Sequence, residues 1–421
     1  MTAFPVSTTG NGHNAKTSES EVADIFRMYG DTYQKNRSLP KSHLKVMRDI
    51  ETCRTAVLGG HLYECNLCGY EHPVYNSCCN RHCPKCQALN KARWLEARNA
   101  ELLPVTYYHN VFTLPHELNP WIRYNKKVIY NILFQSVSQT LLEFGINPQN
   151  GLGGKLGFLT VLHTWDQKLL EHHHLHCIIS GGALSFDKKN WINARSNFLF
   201  AVKALSKVFR GKFIDLLEKA FARGEIICPG NLSETATREF GHMTARLRKI
   251  KWVVYSKQSF AGPEKVLDYL GRYVHRVAIS NDRIKNVKDG HVTFCYKDRK
   301  NGNNKKENTI LGEEFIRRFL LHVLPEGYMR IRYFGFLGSR YKKENMSLIR
   351  KLLNLPPEPA KPTEKKKTEE LILELTGKDI TKCPKCKIGI MVVRQTIPKP
   401  YIQITKNFFN LPKMGKIKHL G

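Results

Sequence analysis

The chain has 421 residues, 42% of them hydrophobic and 10% aromatic, enough for a packed core in two or three domains and too apolar for a disordered protein. Its 67 Lys and Arg against 36 Asp and Glu leave a net charge of +31, a balance that favours nucleic acid over a cationic partner. No apolar run approaches the ~20 residues that span a bilayer, and the opening MTAFPVSTTGNGHNAKTSESE has no apolar signal core. The expectation is a DNA-associated cytoplasmic protein with no membrane partner.

Residues 1–44 read as a polar tail followed by a helix, EVADIFRMYGDTYQKN. Residues 45–100 are dense in cysteine, histidine and turn residues. Twelve cysteines in a reducing compartment are read as thiols or metal ligands, not as disulfides. ECNLCG and RHCPKC place Cys65, Cys68, Cys83 and Cys86 as two CxxC pairs with 14 residues between them. Such a turn aims both sulfurs at one ion, and two turns complete the closed tetrahedral set of a structural Zn2+ site. Cys53 and His61 precede the first pair, and Cys78 and His82 sit between the pairs, an interleaving that allows a second, cross-braced zinc. Four protein ligands leave no open position, so neither site is expected to be catalytic. Arg81, Lys85, Lys91 and Arg93 surround the knuckles, which makes DNA contact the natural use of this domain.

Residues 101–345 mix helical and strand periods. NVFTLP (110–115), GKLGFLTVLHTW (154–165) and HLHCIISGGAL (174–184) have the β-branched, apolar look of buried strands. WIRYNKKVIYNILFQSVSQTLLEF (121–144) reads as one or two helices, and ATREFGHMTARLRKIKW (236–252) as a basic amphipathic one. HHHLHC puts four histidines in five positions. Strand residues two apart share a face, so His174 and His176 present two imidazoles side by side, the spacing for two ligands of one divalent ion. His172 and His173 read as loop neighbours. A third ligand would come from His163, on the preceding strand, or from Gln167, in the loop after it. His172 remains a candidate because it shares the face of the pair; Gln167 is preferred.

GPEKVLDYLGRYVHRVAIS (262–280) begins with Pro263, suited to a first helical turn, and carries an apolar stripe at Val266, Leu267, Leu270, Val274 and Val277. Tyr269 and Tyr273 are four apart, one turn above the other, with Arg272 and Arg276 on the same side. In so basic a chain this arrangement points to nucleophiles beside phosphate clamps. A phenolate that attacks a DNA phosphodiester keeps the 5′-phosphate as a phosphotyrosine and frees a 3′-hydroxyl.

Residues 346–421 hold a Pro- and charge-rich linker, PPEPAKPTEKKKTEE, and a small basic tail with Cys383 and Cys386 in CPKC. By itself that is half a zinc knuckle.

The motifs CRTAVLGGH, SCCNRHCPKCQ, VFTLP, LHTWDQ, HHHLHCIISGG, YLGRYVHRVAIS and RFLLHVLPEGYMRIRYFGFL, in this order from about residue 45 to 340, resemble those of the IS91-like, two-tyrosine HUH transposases. The resemblance implies an α+β fold, with a small zinc-binding domain ahead of an HUH domain built on a central antiparallel sheet with flanking helices. It implies His174 and His176 as ligands of a catalytic Mg2+ or Mn2+, Tyr269 and Tyr273 as nucleophiles, and single-stranded DNA ends and target as partners in a bacterial cytoplasm. The implied activity is rolling-circle-like mobilisation of an insertion sequence. An HUH replication initiator or relaxase shares the chemistry, and a non-catalytic zinc-dependent DNA-binding regulator is the alternative of another class.

Overall fold

The computed structural model describes residues 20–35, 37–99, 101–150, 152–194, 199–230, 235–258, 271, 278–298, 301–357 and 366–400. The helices are α1 (Val22–Lys35), α2 (Lys41–Glu51), α3 (Gln87–Asn99), α4 (Asn119–Ile146), α5 (Val202–Ala222), α6 (Ala236–Lys249), α7 (Gly312–Leu321), α8 (Lys342–Leu352) and α9 (Thr368–Thr376). The strands are β1 (Gly60–Cys65), β2 (Glu71–Tyr75), β3 (Tyr107–Thr113), β4 (Lys155–Trp165), β5 (Glu171–Leu184), β6 (Trp191–Asn193), β7 (Val253–Gln258), β8 (Ile284–Lys288), β9 (His291–Asp298), β10 (Asn304–Leu311), β11 (Ile331–Gly335) and β12 (Met391–Ile397). This is the expected α+β class. No described helix is long and apolar enough to cross a membrane.

The chain divides into two compact units, one of residues 1–51 and 79–379 and one of 52–78 and 380–421. The cysteine-rich segment is therefore not a contiguous 45–100 block, nor is 346–421 a separate tail. The reason is strand pairing: β12 hydrogen-bonds along the edge of β1, from Gly60↔Ile397 to Cys65↔Met391, and makes a β12-β1-β2 antiparallel sheet.

In the larger unit the central sheet runs β11-β4-β5-β3-β7, every pairing antiparallel, with β6 added beside β5. Side chains alternate across it. Leu175, Cys177 and Ile179 of β5 join Phe158 and Leu162 of β4 and Phe112 of β3 in the main core. That face is covered by α4, whose Ile122, Ile129, Leu133, Val137 and Leu141 form a buried stripe, and by α5 through Phe209, Phe213 and Leu217. Each such side chain taken from water stabilises the fold by roughly 1.5–3 kcal/mol. The helix α4 kinks at Asn125 (φ −126°), whose amide donates to the carbonyls of Trp121 and Ile227 and accepts from the Ile227 N–H.

The opposite face is split along its length. At one end Tyr107, Leu159, Val161 and Ile178 form a second apolar cluster with Trp94 and Leu95 of α3. At the other end the same alternation brings histidines forward, because β4 and β5 pair His163 with His174 and β3 pairs Val111 with His176. A register irregularity between His163 and Trp165 bends β4 beside them.

Candidate active site and metal centres

Three imidazoles meet on this face. The ligand nitrogens of His163, His174 and His176 all lie within 4.8 Å of one another, and all three residues are buried. The Nδ1–H of His174 donates to the His172 carbonyl at 2.8 Å, which makes Nε2 the acceptor nitrogen of the neutral ring. His176 has its Nδ1 2.8 Å from Nε2 of His109, and its own Nε2 is 3.1 Å from Nε2 of His174. With both Nδ1 atoms engaged, the two Nε2 atoms face each other at 3.1 Å, close enough to share one ion. A divalent cation satisfies them together, so the donor set fits the expected ion. Burial, then the neighbouring His163 and His172, push the pKa of His174 well below its ordinary value. Burial alone lowers that of His109 to about 4. His174 is held neutral, the form that binds metal.

His163, from the preceding strand, stands with the pair, its ring centroid 4.5 Å from that of His176. Gln167 lies in the turn between β4 and β5 and lines the same cavity, and its main-chain carbonyl accepts from Arg283. His172 and His173 are not loop residues: β5 begins at Glu171, one position before them. Alternation sends His172 to the cavity side, its ring 4.7 Å from that of His174. His173 goes to the other face, where its Nδ1 meets the Tyr130 hydroxyl at 3.2 Å.

The cavity in front of the triad measures about 1230 Å³. Arg123, Lys168, Lys297, Arg317 and Arg318 line it, together with Tyr255, Tyr296 and the acidic Asp166, Glu171 and Asp298. Arg123 forks onto Glu171, with Nε 2.9 and 3.2 Å from the two carboxylate oxygens. Burial works against the Glu171 charge, but His173 and Arg123 outweigh it and hold the carboxyl at about 2. Asp166 accepts from the N–H groups of Lys168 and Leu170, both at 2.8 Å, and so shapes the turn at the cavity rim. Tyr269, Tyr273, Arg272 and Arg276 lie outside the described residues.

The smaller unit holds a second kind of site. Cys65 ends β1 and Cys68 follows in the turn, while Cys383 and Cys386 occupy the turn that leads into β12. The four sulfurs lie within 4.8 Å of one another, with Cys65 to Cys386 at 3.6 Å and Cys68 to Cys383 at 3.7 Å. The expected quartet of Cys65, Cys68, Cys83 and Cys86 is thus not what forms. Cys65 and Cys68 are completed by Cys383 and Cys386, because β12 beside β1 delivers the CPKC turn to the end of β1. Cys83 and Cys86 belong to the turn before α3 in the other unit, where the Cys83 N–H donates to Asn80 and the Cys86 N–H to Cys83.

Neither histidine expected at a second zinc belongs to a ligand cluster among the described residues. His61 sits within β1, paired with Val74 and Thr396, and its ring faces Tyr63. His82 lines a small pocket with His322, Arg330 and Trp165, where burial, then Arg81 and Arg330, lower its pKa to about 3. Cys53 is fully buried and Cys78 partly so.

Spacing in the sequence did not single out His109, Arg123 or Glu171. The strand read at NVFTLP begins one residue after His109, and its alternation says nothing about which strand lies next to it. For Cys383 and Cys386 the signal was present, since their spacing equals that of Cys65 and Cys68.

Residues 157–345 match the family described as "Putative transposase", and residues 25–114 match the "Transposase zinc-binding domain" of the IS91 type. A protein of Sinorhizobium fredii named "Putative transposase y4qJ" is 47% identical over 375 residues, which cover 88% of this chain and 94% of that one. The "Transposase for insertion sequence element IS801" of Pseudomonas savastanoi pv. phaseolicola is 26% identical over 313 residues, 70% of this chain and 72% of its own length. The zinc-binding match spans Cys65 and Cys68 and ends far short of Cys383, while the transposase match spans all three histidines. The chain belongs to the IS91-type family of insertion-sequence transposases.

Proposed function

We propose that this transposase nicks and rejoins single-stranded DNA through a 5′-phosphotyrosine on Tyr269 or Tyr273, and so mobilises an insertion sequence by a rolling-circle-like route. The observation that carries the reading is the convergence of His163, His174 and His176 on one point at the floor of a basic cavity. A Mg2+ or Mn2+ ion bound there supplies Lewis-acid polarisation of the scissile phosphate. The imidazoles of His174 and His176 present Nε2 to it, and His109 fixes the ring of His176.

Arg123, Arg317 and Arg318, with Arg272 and Arg276 of the tyrosine segment, bind and orient phosphate oxygens. The tyrosine oxygen attacks phosphorus in line, and the bond from phosphorus to the 3′-oxygen breaks. The departing 3′-oxygen takes up a proton and leaves as a hydroxyl. The ester to tyrosine keeps the bond energy, so the 3′-hydroxyl of another strand displaces the tyrosine without ATP. Two tyrosines allow two strand ends to be held at once.

Structural zinc belongs to the same reading. Beside the Cys65 and Cys68 pair, the zinc-binding segment contains Cys53, Cys78, Cys83 and Cys86. A zinc domain ahead of the catalytic domain favours a transposase over a replication initiator or relaxase. A labelled single-stranded oligonucleotide carrying an element end, incubated with protein and Mn2+, should yield a cleaved product and a covalent adduct on a denaturing gel. Binding without cleavage under every divalent ion tried would instead support the non-catalytic regulator.

A further inference from the structure

The thiol group of the smaller unit has features that neither the zinc-binding segment nor the transposase segment accounts for. Half of it, Cys383 and Cys386, lies well past residue 345, where both matches have ended. We infer that Cys65, Cys68, Cys383 and Cys386 bind one zinc ion as a closed tetrathiolate, a clasp that makes the zinc-binding module depend on the far C-terminal segment of the chain. The inference rests on the reading of this protein as a zinc-dependent transposase, and it adds a site that residues 25–114 cannot complete.

The first argument is distance. Zinc–sulfur bonds of about 2.3 Å in a tetrahedron separate the sulfurs by about 3.8 Å. The contacts between the two turns are 3.6 and 3.7 Å, far too long for a disulfide of about 2.05 Å. The second is the shape of the turns. The N–H groups of Leu67 and Cys68 point at the Cys65 sulfur at 3.5 Å, and those of Lys385 and Cys386 point at the Cys383 sulfur at 3.4 and 3.5 Å. The Gly389 N–H adds a bond to Cys386 at 3.3 Å. Both turns therefore donate to sulfur in the same pattern, which stabilises thiolates.

The third argument is how closely the turns are fitted. A Cβ on Gly389 would lie 2.3 Å from the Cys65 sulfur, so only glycine lets that backbone pass. Asn66 and Ile390 exchange hydrogen bonds across the gap, at 3.1 Å from the Asn66 N–H and 2.8 Å to its side-chain oxygen. Arg394 of β12 pairs with Glu64 and Glu71 on β1 and β2. The sheet around the thiols has few buried apolar side chains: β2 is exposed along most of its length and β12 likewise. A sheet so poor in core needs another source of stability, and a metal supplies it. With four protein ligands the ion has no open position, so its work is to hold the two turns together.

The test uses the full chain, loaded with zinc and desalted. Metal analysis should show one zinc fewer per chain in C383S/C386S than in the unaltered protein. To keep the test independent of whether that variant folds, the unaltered protein is treated with N-ethylmaleimide, with and without chelator, and its cysteines mapped by mass spectrometry. Cys65, Cys68, Cys383 and Cys386 should be protected together in the zinc-loaded chain and become reactive together when stripped. Alkylation of Cys383 and Cys386 at full rate in the zinc-loaded protein, or an unchanged zinc content in the double variant, overturns the clasp. Nicking of single-stranded DNA is read separately, so failure of the proposed strand chemistry is distinguishable from failure of the clasp.

Discussion

Nε2 of His109 lies 2.8 Å from Nδ1 of His176, ring stacked on ring with centroids 5.1 Å apart. A neighbouring imidazole therefore does for His176 what the His172 carbonyl does for His174: it fixes the ring so that Nε2 faces the centre. Removing such an orienting partner costs ~10–100-fold in metal affinity. His109→Ala should weaken Mn2+ binding by about that factor in calorimetric titration and shift nicking to higher Mn2+. Unaltered affinity would show that His176 needs no such support.

His174→Ala with His176→Ala should abolish nicking and leave DNA affinity within about threefold. Affinity comes chiefly from Lys and Arg contacts to phosphate, and the net charge of +31 is untouched. A gel-shift titration beside the cleavage assay separates the two effects; cleavage that survives the double substitution, or excess EDTA, would remove the histidines from the mechanism.

Phenylalanine at Tyr269 or Tyr273 keeps the ring and deletes the attacking oxygen. Each single variant should fail to complete transposition, and Tyr269→Phe with Tyr273→Phe should trap no DNA. Tyr255, which lines the cavity near His109, provides the control: Tyr255→Phe should still form the adduct. An adduct that survives the double variant and disappears in Tyr255→Phe would reassign the nucleophile.

Acid should loosen the larger unit. Burial lowers His82 and His322 to about 3 and His109 to about 4, and puts His174 well below its ordinary value. The unfolded chain binds these protons first, so the stability the neutral rings contribute is complete above about pH 6.5 and declines as pH falls toward 3–4. His322 accepts from the Thr164 hydroxyl at Nδ1 and donates from Nε2 to Leu169, a pattern only the neutral ring makes. His322→Gln should cost stability at pH 7.5 and reduce the slope between pH 6 and 4 by about 1.4 kcal/mol per pH unit. Urea midpoints across that range measure both.

Gly335 ends β11 at φ +64°, and a Cβ there would lie 1.6 Å from the Leu156 carbonyl oxygen. Gly335→Ala must move β11 from β4, at a cost above about 2 kcal/mol. Gly302, at φ +66° with open space around it, should lose only about 1 kcal/mol on the same change. Thermal melts of the two variants should rank them in that order.

The sequence by itself determined the class of chemistry. Alternation put His174 and His176 on one face, CxxC spacing marked pairs of thiols for one ion, and the order of motifs indicated the transposase family, because all of these are properties of residues near each other in the chain. Gln167 against His163 was a different matter. Strand register between β4 and β5 sets His163 opposite His174, and register is made by hydrogen bonds that no local spacing encodes. The same holds for His109, brought to His176 by the pairing of β3 with β5. It holds most of all for the thiols. Each CxxC turn offers two ligands to any partner turn, so spacing left Cys65 and Cys68 paired with the nearer Cys83 and Cys86. Tertiary structure decided otherwise, because β12 finds its edge on β1 across more than three hundred residues and carries Cys383 and Cys386 with it.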